Sequence, residues 1–480
     1  MSERGRTAAS RLIVLVKQKP FWVLALLSLA GYTLIRILFP LEPHADRVPS
    51  PDIVIFTPSL GAGLGYALLL SVLFGLYWLA YQRARDSATP LSPVAILLTA
   101  ALFILPLLFT FPFNATDIYR YFIRGRITVV YHQSPFSLPP DAFPDDPYLP
   151  MAGDWAGDTS PYGPVWELVA AAIGSVAGDD LLLALLLFKS LAATVHLVIG
   201  FLIWLLLDDA SPAERTGRAL LWSWNPALLL TFAVDGHNDG LMLFWVLLGL
   251  VLMRRGRSGL GQILMVVAPL TKPIGLLPLP FFFLATWRRL PHSRAKARFL
   301  LASGLGSLAL AWLAVLPFGS PLDLVQRLAL EATARAGFSL ATLIMLVVGR
   351  LGLGPSIGYV ARGATIWFAL LALWLLWRTW RGRSPVRAAA DILAGYLVQA
   401  FNFRIWYAAW PFPWLLLDSK KGKVRCRRLS VGLWFLLTSQ LSVLIYGHLW
   451  DYLLNRDHLV THLLGVTFTF GLPLLLAFLC

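Results

Sequence analysis

The chain alternates long apolar runs with short polar stretches. Apolar runs lie at 21–39, 60–81, 93–111, 181–207, 219–234, 240–253, 299–317, 357–377, 387–403, 406–418, 430–447 and 458–479. They are continuous and Leu-rich. Runs of this kind read as membrane helices, because in lipid each backbone polar group must be satisfied within its own helix. The short alternating strands of a membrane β-barrel are not the pattern seen. Segment 259–287 differs, being interrupted by Pro269, Lys272, Pro273 and Pro278. It reads as two short helices that meet near the outer surface at Thr271-Lys272-Pro273, since proline ends one helix and suits the first turn of the next. The run 340–353 is short for a crossing and reads as re-entrant or tilted.

Lys and Arg fall in short clusters between the apolar runs, which marks those connections as cytoplasmic. The parity of the clusters gives about 14 crossings with both termini cytoplasmic. The basic N-terminus precedes an apolar run from Phe21 that is too long for a signal-peptide core, so it is expected to be a retained first span. Segment 321–337 separates Leu324 and Leu328 from Gln326, Arg327 and Glu331 at helical spacing, with Gly337 as a C-cap. It reads as an amphipathic helix, either interfacial on the outer side or an ordinary extramembrane helix. The expected fold is an all-α multi-pass integral membrane protein. Its parts are 1–92, a cytoplasmic segment and two additional spans; 93–317, a core with a long outer loop at 112–180; and 318–480, the amphipathic helix and C-terminal spans.

Composition narrows the function. Of 480 residues, 58% are hydrophobic and 14% charged, with mean hydropathy +0.70, which excludes an ordinary soluble domain. The net charge of +15 would raise nucleic acid as a partner, but its clustering between spans accounts for it without one. Two cysteines, Cys426 and Cys480, make neither a disulfide framework nor a metal site.

Four polar groups remain once the cytoplasmic clusters are set aside. Asp117 stands just after an apolar run, with Tyr119, Arg120, Arg124 and Arg126 behind it. Arginines on an outer loop run against the charge rule. Asp235-Gly236-His237-Asn238-Asp239 lies between two spans. Lys272 sits between two half-helices, and Arg404 precedes Trp406 and Tyr407. Each has an ordinary explanation: a loop ion-pair network, a polar turn cap, a snorkelling lysine, an interfacial anchor. Together they are expected on one face, where an outward-opening site with an anion and several cations would be an enzyme or transporter site. No Walker loop, dinucleotide fingerprint or His-Glu-x-x-His motif is present.

The ordered set Asp117-Ile-Tyr119-Arg-Tyr-Phe-Ile-Arg-Gly125-Arg126, Ser134-Pro135-Phe136, Ser160-Pro161-Tyr162-Gly163-Pro164, Trp224-Asn225-Pro226, His237-Asn238-Asp239 and Thr271-Lys272-Pro273 resembles the GT-C glycosyltransferases that use polyprenyl-phosphate sugars. The likeness is nearest to bacterial polyprenol-phosphomannose-dependent α-1,6-mannosyltransferases, and it runs from about residue 93 to 317. The late His of that family is replaced here, in Arg404-Ile405-Trp406-Tyr407.

The resemblance implies a GT-C-like bundle in the plasma membrane with its active site on the outer face. It implies an inverting transfer of a hexose, mannose foremost, from a polyprenyl-phosphate donor to a hydroxyl on a glycan or glycolipid. Asp117 takes the position of the catalytic base. Tyr119, Arg120, Arg124, Tyr162, His237, Asp239, Lys272, Arg404, Trp406 and Tyr407 are the substrate-binding candidates. Lys272 and Arg404 would hold the leaving phosphate, and Trp155, Tyr162 and Trp406 would stack on sugar rings. No cofactor or metal is indicated, and nucleic acid is not expected. The alternatives are a transporter or flippase of a polyprenyl-linked lipid, and a non-catalytic component of an envelope-polysaccharide assembly.

Overall fold

A computed structural model describes residues 3–48, 52–86, 91–319, 324, 337–418 and 423–479. Among these residues the regular structure is helical, and the only extended pairing is an isolated bridge between Pro40 and Thr110. The α-helices up to residue 315 are α1 (Glu3–Leu38), α2 (Ile53–Phe56), α3 (Leu60–Asp86), α4 (Pro93–Leu108), α5 (Asp117–Val129), α6 (Pro164–Ala177), α7 (Leu181–Leu206), α8 (Pro212–Ser223), α9 (Pro226–Leu229), α10 (Asp239–Arg254), α11 (Ser258–Thr271), α12 (Leu279–Arg289) and α13 (Ser293–Val315). Helices at 340–350, 357–380, 385–399, 423–444 and 458–466 follow.

Seven described helices are long and apolar enough to cross a membrane, or eight if the bent pair Pro226–Val234 and Asp239–Arg254 counts as one span. This is a membrane protein, but the sequence reading of about 14 crossings finds fewer full-length helices. The run 93–111, read as a full span, folds as the shorter helix α4, while α11 and Leu340–Arg350 are short as their sequences predict. The run 406–418 is not a crossing helix. It is split into a 3-10 turn at Ile405–Ala409 and a short helix at Phe412–Leu416, and nearly all of it is buried within the protein. Pro411 and Pro413 deny it a continuous helical ladder. Apart from Leu324 and Gly337, the amphipathic helix read at 321–337 lies outside the described residues.

Local chemistry sets the helix starts. Ser92, Asp180, Ser211 and Asn225 each accept a backbone N–H at the start of α4, α7, α8 and α9. Proline opens α4, α6, α8 and α9, where its missing N–H costs nothing.

The long polar stretch at 112–180 is largely folded against the bundle. Residues 117–127 of α5 are all buried. Two breaks complete the setting. The chain bends by 111° between Val234 and Asp239, and Gly236 turns it with φ +66°, a conformation that side-chain-bearing residues avoid. The second break follows α11, as the sequence pattern predicts. Lys272 is extended (φ −148°, ψ 123°), as a residue preceding proline prefers, and Pro273 opens a 3-10 turn that leads to α12.

Candidate active site

Asp117 lies in the first turn of α5, where the positive end of the helix dipole favours a carboxylate. Its Oδ1 pairs with Arg120 one turn on. Its Oδ2 accepts a hydrogen bond from the Tyr162 hydroxyl at 3.4 Å and lies 3.9 Å from His237 Nδ1. The Arg120 guanidinium carbon stands 4.0 Å from the Trp155 ring centre, so one cation serves both a carboxylate and an aromatic face. Burial holds Arg120 below its ordinary pKa and pushes the Tyr162 hydroxyl above its own. Asp117 is buried, whereas the sequence reading left it in an open outer loop.

The bend before α10 supplies the second carboxylate. Asp239 is fully buried, and its Oδ1 accepts from Lys272 Nζ at 2.8 Å and from Trp410 Nε1 at 2.5 Å. Lys272 also reaches Asn238 Oδ1 at 3.4 Å. Its ammonium stands over Tyr407 at 5.2 Å, Trp410 at 5.6 Å and Tyr162 at 5.8 Å, so it sits in an aromatic cage with one carboxylate as counter-ion. His237 bridges the two acidic centres, with Nδ1 3.8 Å from Asp239 Oδ2 as well as near Asp117. It stacks on Trp406 with ring centres 4.1 Å apart. Among the described residues neither ring nitrogen of His237 has a hydrogen-bond partner.

Thus Asp117, Arg120, Tyr162, His237, Asp239, Lys272, Trp406 and Tyr407, from five separate stretches, meet in one cluster. Three other candidates are placed differently. Tyr119 faces the Phe111 ring and is buried in the core. Arg124 donates to the backbone carbonyls of Asp158 and Thr159. Arg404 lies over the Phe338 ring at 5.7 Å, half-buried, at the head of the turn that carries Trp406 and Tyr407. Arg126, an apparent exception to the charge rule, is spent on ion pairs with Asp146 at 3.0 Å and Asp179 at 2.5 Å.

The sequence reading missed Trp410 and Glu167. Trp410 follows Trp406 and Tyr407 at helical spacing, and Glu167 is a carboxylate in an otherwise apolar helix; both signals were visible. Among the described residues no group of three or more His, Cys, Asp or Glu side chains is arranged to hold a metal ion. The cluster offers a carboxylate beside a cation, a buried imidazole with open nitrogens, an ammonium, and flat aromatic faces. That set suits proton removal from a hydroxyl, binding of an anion and stacking of a sugar ring.

Residues 58–289 match the family described as alpha-(1->6)-mannopyranosyltransferase, N-terminal domain. The match begins ahead of α3, so it takes in a helix that the motif set starting near residue 93 had left as an addition. Over 72% of its length the chain is 25% identical to alpha-(1->6)-mannopyranosyltransferase B of Corynebacterium glutamicum, and it spans 63% of that protein. It is 26% identical over 75% of its length to alpha-(1->6)-mannopyranosyltransferase A of Mycobacterium tuberculosis, spanning 70% of it. A probable alpha-(1->6)-mannopyranosyltransferase of Mycolicibacterium smegmatis is 25% identical over 76% of the chain, with 73% of that protein covered. No solved structure matches. The resemblance to bacterial α-1,6-mannosyltransferases drawn from the motifs is thereby borne out.

Proposed function

We propose that this chain is a membrane mannosyltransferase. In this reading it moves mannose from a polyprenyl-phosphate donor to a hydroxyl of a glycan or glycolipid, forming an α-(1→6) linkage at the outer membrane face. The relatives' names supply the sugar and the linkage. The observation that carries the reaction is the meeting of Asp117, Arg120, Tyr162, His237, Asp239 and Lys272 in one buried cluster.

The chemistry follows from those groups. Asp117 stays ionised because Arg120 and the helix N-terminus favour its charged form. It takes the proton of the acceptor hydroxyl, and the freed oxygen attacks the anomeric carbon as the carbon–oxygen bond to phosphate breaks. The configuration inverts in this single displacement. The phosphate leaves with its negative charge, so it needs no acid. Lys272 and Arg404 are the cations we assign to it, and Trp406, Trp155 and Tyr162 the faces for sugar rings. No metal or cofactor takes part in this scheme.

The test is transfer by the purified full chain from labelled polyprenyl-phosphate mannose to a short α-(1→6)-mannoside. Asp117→Asn keeps size and most hydrogen bonds but loses the base, so transfer by the folded variant should fall by at least about 10²-fold. Near-normal single-turnover transfer by that variant would end the assignment of Asp117 as base.

A further inference from the structure

Glu167 stands in the first turn of α6 and is 1% exposed. A carboxylate in such a place needs a reason, since burial without partners is costly. One oxygen, Oε1, accepts a hydrogen bond from the Ser160 hydroxyl. The same Ser160 oxygen accepts the backbone N–H of Tyr162 at 3.1 Å. Glu167 is therefore connected through one hydroxyl to the residue that touches Asp117.

The rest of the segment is fixed as tightly. Arg124, 1% exposed, donates through Nη2 to the carbonyls of Asp158 at 3.3 Å and Thr159 at 3.2 Å. Ser160 N–H donates to Pro135 O at 2.8 Å, and Gly163 N–H donates to Thr271 O at 3.1 Å. A side chain at Gly163 would run into the Leu270 carbonyl, so the segment lies directly on the end of α11. The backbone from 158 to 163 is thus held from several sides, and Tyr162 projects from it with its hydroxyl 3.4 Å from Asp117 Oδ2.

We infer that Glu167 is a positioning residue, which acts through Ser160 to hold the Tyr162 hydroxyl on the Asp117 carboxylate. The inference rests on the proposed role of Asp117 as base. Asp117 is faced by Arg120 from its own helix, by Tyr162 from the 158–163 segment and by His237 from the bend before α10, with Asp239 and Lys272 beyond His237. Of these contacts the Tyr162 bond is the one linked to Glu167 through Ser160. A donor hydroxyl favours the charged form of the carboxylate. A misplaced Tyr162 therefore leaves a carboxylate that protonates at higher pH, and the base is lost in mildly acidic solution.

The experiment is a mutant cycle on the purified full chain with labelled polyprenyl-phosphate mannose and a short α-(1→6)-mannoside. Tyr162→Phe and Glu167→Leu should each lower kcat by about tenfold with little change in donor KM. Each should move the acid limb of kcat/KM upward by about one pH unit. The double variant should be no worse than the worse single one, since both remove the same contact. Glu167→Gln still accepts from Ser160 and should recover most of the loss. Should Glu167→Leu not fold, Ser160→Ala breaks the same link and takes its place. Losses that multiply in the double variant, or an acid limb that stays put in Glu167→Leu, overturn the positioning role. If Asp117→Asn is inactive while the cycle is additive, only this inference fails; if Asp117→Asn is active, the base reading fails and takes this one with it.

Discussion

The Lys272 ammonium is 2.8 Å from the Asp239 carboxylate, and Asp239 is fully buried. The lysine assigned to the donor phosphate therefore already has a counter-ion. That changes what its removal does. Lys272→Ala leaves an unpaired buried carboxylate, at a cost of about 3–5 kcal/mol. Melting temperature in detergent should fall sharply, and Lys272→Met combined with Asp239→Asn should recover most of it. A Lys272→Ala variant as stable as the parent would show that the pair is not structural.

Arg120 is the cation paired with Asp117. Replacing it with Gln removes the cation that favours the ionised carboxylate. The folded Asp117 then protonates at a higher pH, so activity is lost earlier as pH falls and is unaffected well above the limb. The kcat/KM profile of Arg120→Gln should show its acid limb moved upward, and Arg120→Lys should move it less. An unmoved limb in Arg120→Gln would mean that Arg120 does not tune the base.

Arg404 carries a narrower prediction. If it holds the leaving phosphate, Arg404→Ala should cost about 2–4 kcal/mol in the transition state while leaving melting unchanged. Arg404→Lys should recover only part of that, because a point charge does not replace a bidentate fork. Parental donor kinetics in the alanine variant would remove Arg404 from the site.

Gly163 tests the close contact with α11. In Gly163→Ala the new methyl group meets the Leu270 carbonyl, and the segment or the helix end must shift. The expected result is destabilisation of about 1–3 kcal/mol together with lost transfer, because Tyr162 is the preceding residue. Retained stability and transfer would show that the segment can move aside without consequence.

The helical class, the break at Lys272 and the joint location of four separate polar stretches were legible because each rests on a local signal. Proline placement marks one break, and charge interrupting apolar runs marks the others. Crossing number was not legible in the same way. Residues 406–418 are as apolar as a span, yet their apolarity serves burial inside the protein, which composition alone does not distinguish from lipid. The fates of Arg124 and Arg126 were hidden because their partners, the carbonyls at 158 and 159 and the carboxylates at 146 and 179, are remote in sequence. The burial of Asp117 was missed for a related reason: a polar loop reads as exposed unless the helices that cover it are known.

The bridge at Pro40 and Thr110 reaches further than its size implies. Phe111 N–H donates to Phe39 O at 2.8 Å, Leu41 N–H donates to Phe109 O at 3.0 Å, and the Phe39 and Phe113 rings stack with centres 4.1 Å apart. These contacts grip the stretch that runs directly into Asp117. Helix α1 lies ahead of the region shared with the mannosyltransferase family. The residues that follow it nonetheless brace the lead-in to α5, so α1 cannot be treated as a detachable anchor. Shortening the chain to the family boundary would free the lead-in to α5, and the damage would surface as lost turnover at the far end of that lead-in.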